Sequence, residues 1–408
     1  MAVLGTVRAS IFKFVEAFFL PENVLSSRQK WVLGLINLGS VVFFWVMSSF
    51  LVNDLVEDGS YRKPFFITYV NTGLFCLYLI PYLRYEHKTI AEFIEQLKQE
   101  YYSQKSRKFA GLLPVPETPL SPNSDGDNYG TNGDIEANLQ IVDQQLLAPD
   151  RVGVYETVKL SFQFLMLWFT ANLVTNASLS YTSVASQTIL SSTSSFFTLI
   201  VGYLYSVEKI NSNKIVGILL SFTGVFIVTK IDSSKTSSSA SANINTVVLF
   251  GNLLALSGAL VYGIYTILLK FKITIPHTNK ERVLNTHLFF GFVGIFCLIS
   301  LLPVLILLHF TGYETFEFPP TKKVLGVLLT NAFITLISDF CWCKAVLLTS
   351  PLTVTVGLSM TIPLAMVGDW VFKQFAINWG YLFGACIVTA GFLIINRDEE
   401  TDFVSQDD

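Results

Sequence analysis

Polar and apolar positions along the chain form long continuous apolar blocks separated by short polar stretches. A helix needs about 20 mostly apolar residues to cross a bilayer. A window of that length picks out ten blocks, at 31–52, 64–83, 155–177, 183–207, 212–229, 246–269, 285–309, 323–347, 352–372 and 379–396. We number them spans 1 to 10. Continuous runs exclude a transmembrane barrel, whose strands alternate over about ten residues. The pattern predicts an all-α membrane protein, with Pro81, Pro303 and Pro363 as kink sites inside spans 2, 7 and 9.

The segments between the blocks have their own signatures. Phe12 to Leu20, with Lys13 and Glu16 inside it, reads as an interfacial amphipathic helix and not as a cleavable leader. In the long 84–153 loop, Ile90, Phe93, Ile94 and Leu97 recur at helical spacing, predicting a helix over 87–105. From Pro114 to Asp150 the composition is that of a linker. Within it, Asp143-Gln-Gln-Leu146-Leu147 has the form of an acidic dileucine sorting signal, although an ordinary solvated tract looks the same. Ser233 to Ser241 is a second, Ser-rich linker.

Composition fits a lipid solvent. Charged residues are 14% of the chain and mean hydropathy is +0.53, whereas a soluble domain carries roughly 25% charge. This excludes a disordered chain, a basic nucleic-acid binder and a disulfide-stapled module. The five cysteines all sit in apolar runs, and Cys341-Trp-Cys343 has the wrong spacing for a zinc knuckle. No metal or cofactor is expected. Lys and Arg are biased to one side: 19 lie in segments sharing a face with the N-terminus, against seven opposite. That bias predicts cytosolic termini.

Sliding the chain by 167 residues aligns 182–229 with 349–396 without gaps and gives nine identities, among them Thr188/Thr355, Ser192/Ser359, Gly217/Gly384 and Gly224/Gly391. Asn172 pairs with Asp339 at the same offset. Each copy holds five spans. An odd number turns the second copy over, which is an inverted repeat of the kind that rocks around a central site. The predicted organisation is an N-terminal segment 1–29, a first repeat 30–229, a linker 230–245, a second repeat 246–396 and an acidic cytosolic tail 397–408. Glycines seven apart let spans 5 and 10 approach another helix closely, as packing or dimer helices.

Polar groups inside spans are costly and usually face a cavity or a partner helix. On span 4, Gln187, Ser191, Ser194, Ser195 and Thr198 share one face. Span 8 offers Asn331, Thr335, Ser338 and Asp339, and span 9 offers Thr355 and Ser359. Span 3 adds Gln163, Asn172 and Asn176, and span 6 adds Tyr262, Tyr265 and Lys270. These are the candidate substrate-binding residues, with Asp339, Lys159 and Lys270 as coupling candidates. The plainer role of each Ser or Thr is a bond to its own helix carbonyl. Asp339 is the outstanding position, because an ionised carboxylate deep in a span needs a partner, a proton or an ion. Lys159 is placed to pair with Glu156 or Asp339. Asp54 and Asp369 lie near span ends.

An enzyme is not expected. Met366-Val-Gly-Asp369 lacks the Gly-x-Gly-Asp run of intramembrane aspartyl proteases, and the four His residues are scattered.

Leu179-Ser-Tyr-Thr-Ser-Val-Ala-Ser-Gln-Thr-Ile-Leu-Ser-Ser-Thr-Ser-Ser-Phe-Phe197, Ala345-Val-Leu-Leu-Thr-Ser-Pro351 and Val356-Gly-Leu-Ser-Met-Thr-Ile-Pro363 resemble the F-type group of solute carrier family 35. This group lies within the EamA-like drug/metabolite transporter superfamily. The likeness is strongest to its fungal thiamine-repressible and vacuolar-membrane members. The resemblance implies ten helices in a five-plus-five inverted repeat, alternating access around a central cavity, and a small-molecule substrate. It permits a homodimer, for which helices 5 and 10 are the candidates, and involves no nucleic acid. Nucleotide-sugar carriage would need basic residues at the phosphates, and only Lys159, Lys270 and Lys344 approach the cavity. The function expected is secondary transport of a small polar metabolite, proton-coupled through Asp339, in the vacuolar membrane in preference to Golgi or mitochondrion. The rival is a membrane scaffold or sensor acting through the 84–153 loop.

Overall fold

The computed structural model describes residues 26–57, 63–85, 89–110, 151–178, 181–182, 184–236, 246–275, 281–319, 321–373 and 379–404. The predicted helix at 12–20, the dileucine sequence and the two linker tracts lie outside them, apart from the first residues of the Ser-rich linker, which extend span 5. Among the described residues the chain is helical, apart from two isolated bridges. Nine helical stretches there are long and apolar enough to cross a membrane. They correspond to the predicted spans except span 4, which is two short helices, Val184–Ser192 and Ser194–Leu204.

Span 1 is Ser27–Glu57, span 3 Val154–Ser178, span 5 Ser212–Thr236, span 6 Thr246–Ile273, span 8 Lys322–Leu348 and span 10 Trp379–Val404. A 25-residue helix is about 38 Å long, enough for the roughly 30 Å hydrocarbon core. Spans 2, 7 and 9 are interrupted where their prolines predict. Pro81 follows a 3-10 segment at Leu74–Tyr78, and Pro363 follows another at Leu358–Met360. In span 7, Thr286–Ser300 and Leu302–Phe310 meet at Leu301, with Pro303 in the first turn of the second piece. Each proline removes one N–H and crowds the carbonyl four residues earlier, so the preceding turn retightens.

Helix starts carry local signals. Ser350 Oγ accepts from Thr353 N–H (3.1 Å) ahead of Pro351, and Asn285 Oδ1 accepts from Leu288 N–H (3.1 Å). The helix predicted in the 84–153 loop runs Ile90–Ala110 and opens on a capping box between Thr89 and Glu92. Its Phe93 is buried against Tyr82 and Phe292, and its Glu100 accepts from Tyr155 N–H (2.9 Å) at the start of span 3.

Spans 5 and 10 pack along their length, as do 1 with 8 and 3 with 6. A Cβ on Gly224 would come within 2.8 Å of Gly384 O, and one on Gly391 within 2.6 Å of Gly217 O. The four repeat glycines therefore serve a contact inside one chain, and a homodimer through these helices would have to use their outer faces. Those faces expose Leu219, Phe226, Leu382 and Leu393. The core centres on Phe164, with Phe289 at 5.0 Å, Tyr265 at 5.2 Å and Trp342 at 5.9 Å between ring centroids.

Candidate substrate cavity

The two membrane halves are packed differently. Toward the end that carries Ser27 and Val404, residues 338–348 of span 8 are buried except for half-buried Lys344, and 351–357 of span 9 are all buried. Beyond Gly357, residues 358–366 are only half-buried, as are 186–193 of span 4. A cavity of about 470 Å³ occupies this looser half, walled by spans 1, 2, 3, 4, 6, 8 and 9.

Ten of the sixteen candidate residues meet there: Asn172, Gln187, Ser191, Ser194, Tyr262, Tyr265, Thr335, Thr355, Ser359 and Asp339. Six do not line it. Asn176 and Lys159 are exposed on the outer surface, and Gln163 is half-buried off the wall. Ser195 is buried behind the wall. Asn331 faces span 1, where Ser48 Oγ donates to its Oδ1 (2.6 Å). Lys270 is turned to the closed end, donating to Glu281 (2.9 Å), Leu347 O (3.1 Å) and Thr349 O (2.9 Å). The expected pairing of Lys159 is also corrected: Glu156 binds Arg282 instead (2.7 Å). The side chains of Asp54 and Asp369 lie outside the described set.

The break in span 4 explains Ser195. Thr193 N–H donates to Leu190 O (3.1 Å) and Phe196 N–H to Thr193 O (3.0 Å), a local 3-10 turn. It rotates the second helix, so a stripe spaced for an unbroken helix leaves the wall after Ser194. Thr198 is then buried facing Gly263. Several hydroxyls bond their own helix: Ser192 to Ile189 O, Thr355 to Leu352 O, Thr361 to Leu358 O. Asn172 Nδ2 donates to Trp168 O (2.8 Å), and Gln187 Nε2 to Ser191 Oγ (3.1 Å).

Asp339 is 7% exposed and lies on the cavity wall. Its Oδ2 is buried without a hydrogen-bond partner, and it forms no ion pair among the described residues. Asn71 Oδ1, also on the wall, is likewise unpartnered. Trp45, Thr68, Asn71 and Trp168 were not singled out in the sequence. Span 2 reads as plainly apolar, and tryptophan in a span reads as bulk.

The closed end is held by charges. Lys214 Nζ lies 2.5 Å from Glu399, 3.6 Å from Glu208 and 3.6 Å from Asp402. Glu208 Oε1 accepts from Leu352 N–H (3.1 Å), tying the turn between spans 4 and 5 to the start of span 9. Burial, and next the neighbouring Glu399 carboxylate, push Glu208 well above the ordinary carboxylate value. The predicted acidic tail is thus partly structural: span 10 runs on to Val404, and Asp398 accepts from Asn213 (2.8 Å).

Residues 157–230 match the EamA-like transporter family. An uncharacterized vacuolar membrane protein of Saccharomyces cerevisiae is 45% identical over 94% of this chain and 94% of its own length. The chain belongs to the EamA-like transporter family. The family is one of transporters, not enzymes. The thiamine-repressible mitochondrial transport protein of the same yeast is 38% identical over 91% of this chain and 93% of its own. Solute carrier family 35 member F5 of Mus musculus is 30% identical over 91% and 78%. A solved crystal structure at 10% identity aligns with a TM-score of 0.51 over 89% of this chain and 97% of its own, a likeness of fold alone. This EamA-like protein is therefore a multi-pass membrane transporter.

Proposed function

We propose that this transporter moves a small polar metabolite by alternating access through the cavity around Asp339, as a secondary carrier coupled to protons. The observation that carries the reading is the cavity itself: about 470 Å³, in the range of small-molecule sites, with an unpartnered carboxylate on its wall. A carboxylate in that setting needs a proton, an ion or a ligand to offset its burial.

An inverted repeat is the architecture this mechanism uses, and two observations support it. Six wall residues are followed 167 positions later by another wall residue, including Asn172/Asp339, Thr188/Thr355 and Ser192/Ser359. The packing pairs 1–8 and 6–3 exchange under the same operation, while 5–10 maps onto itself. With the termini cytosolic, as the Lys and Arg bias favours, the cavity faces away from the cytosol and the Lys214 cluster closes the cytosolic side. The vacuolar relative favours the vacuolar membrane, and the mitochondrial relative is the alternative.

The test is a metabolite screen. Purified full-length protein in liposomes is loaded against a yeast metabolite extract, and accumulated species are read by mass spectrometry. Uptake of at least one polar metabolite above protein-free liposomes is expected. No uptake under any imposed gradient sinks the proposal.

A further inference from the structure

The cavity wall has a charge sign as well as a shape. Among the described residues lining it there is no Lys, Arg or His, and its one ionisable carboxyl is Asp339. The cations nearest in sequence are committed elsewhere. Lys270 binds Glu281 and two backbone carbonyls at the closed end. Arg282 binds Glu156, and Lys214 sits among three carboxylates. Lys159 is exposed on the outer surface, and half-buried Lys344 is off the wall. An anionic solute would meet a carboxylate with no counter-charge.

The hydrogen-bonding vacancies have the same polarity. Both wall atoms that are buried without a partner, Asp339 Oδ2 and Asn71 Oδ1, are acceptors. A buried acceptor is expensive to leave unmet, so a ligand that satisfies both must bring N–H or O–H donors. The rest of the wall includes the aromatic side chains of Trp45, Trp168, Tyr262 and Tyr265. Aromatic rings attract cations and stack on planar groups.

Resting on the transport reading, we infer that the substrate is an organic cation with N–H donors on a planar or aromatic body, such as a protonated amine or amidinium. Asp339 takes its charge, Asn71 takes a second donor, and the tryptophans and tyrosines enclose its body. A quaternary ammonium lacks the donors and a carboxylate has the wrong sign.

Four probes of nearly one shape separate these features: benzamidine (charged, with N–H donors), benzamide (neutral, with N–H donors), benzyltrimethylammonium (charged, without donors) and benzoate (anionic). Binding to the purified full-length protein is read by quenching of tryptophan fluorescence, to which Trp45 and Trp168 contribute from the wall. Benzamidine should bind at least tenfold more tightly than benzamide or benzyltrimethylammonium, and benzoate should not bind. Asp339→Asn should bring benzamidine down to the level of benzamide. Asn71→Asp, which adds a second carboxylate, should tighten benzamidine further, so a poorly folded Asp339→Asn does not decide the matter. Equal or tighter binding of benzoate or benzamide overturns the inference on charge while leaving the metabolite-uptake test untouched. Binding of none of the four overturns it too, and transport is then judged by uptake alone.

Discussion

Replacing Lys214 by Met removes the cation at the centre of the closed end while keeping an unbranched chain of similar length. Lys214 is 1% exposed, and the side chains of Glu208 and Glu399 are 2% and 6% exposed. Glu399 would be left buried without a counter-charge, beside a Glu208 that burial and Glu399 already hold toward its protonated form. Asp402, at 41% side-chain exposure, keeps its water and adds little. Breaking a buried pair from one side costs roughly 3–5 kcal/mol. An unfolding entropy of roughly 2.1 cal/mol/K per residue, taken over the 308 described residues, turns that into a drop in melting temperature of about 5–8 °C. The assay is thermal unfolding of the full-length protein in detergent, followed by near-ultraviolet circular dichroism. Lys209→Met, which removes an exposed neighbouring charge, should stay within about 0.5 kcal/mol of the parent. Lys214→Met with Glu399→Gln should cost less than the two changes summed, because they share one interaction. A Lys214→Met protein that melts within 1 °C of the parent would refute the idea that this cluster holds the end shut.

Glu208→Gln should change how stability depends on pH. The carboxyl is raised in the folded state by burial and by Glu399, so the fold holds its proton more tightly than the unfolded chain does. That stabilisation is complete below the unfolded value near 4.5 and is lost as pH rises toward the folded value. Unfolding scans from pH 5 to 8 should show a smaller fall in melting temperature for Glu208→Gln than for the parent, with Gln still able to accept from Leu352 N–H. Ser206, in the turn after span 4, has φ 57°, so Ser206→Gly should raise stability by about 1 kcal/mol in the same melts. Gly391→Leu should prevent the approach of spans 5 and 10, since even a Cβ would meet Gly217 O and Ser221 N at 2.6 Å. Loss of the monodisperse peak on size exclusion is expected, and an unchanged peak would contradict the packing.

The spans were legible because hydropathy is a local property: twenty apolar residues in a row mean the same thing wherever they pack. Pro81, Pro303 and Pro363 were legible as interruptions for the same reason. The candidate site was legible only where polarity coincided with unbroken helical spacing. Gln187, Ser191 and Ser194 satisfied both, whereas the turn at Thr193 moved Ser195 off the wall. Trp45 and Trp168 escaped because a tryptophan on the wall is indistinguishable in sequence from lipid-facing bulk. The Lys214 cluster escaped because its partner Glu399 is far away in the chain. Read locally, one looked like a loop lysine and the other like part of a solvated acidic tail. Lys270 does not reach the cavity wall, for a geometric reason. It sits late in span 6, and its long side chain reaches the end carbonyls of span 8.

The central claim is that the cavity around Asp339 carries substrate and couples it to protons. Its most direct test places parent and Asp339→Asn proteins in matched liposomes and measures uptake of the screened metabolite with and without an imposed pH gradient. The parent should respond to the gradient, and whatever uptake Asp339→Asn retains should not change with the gradient. Equal acceleration of both proteins by the gradient would contradict the claim.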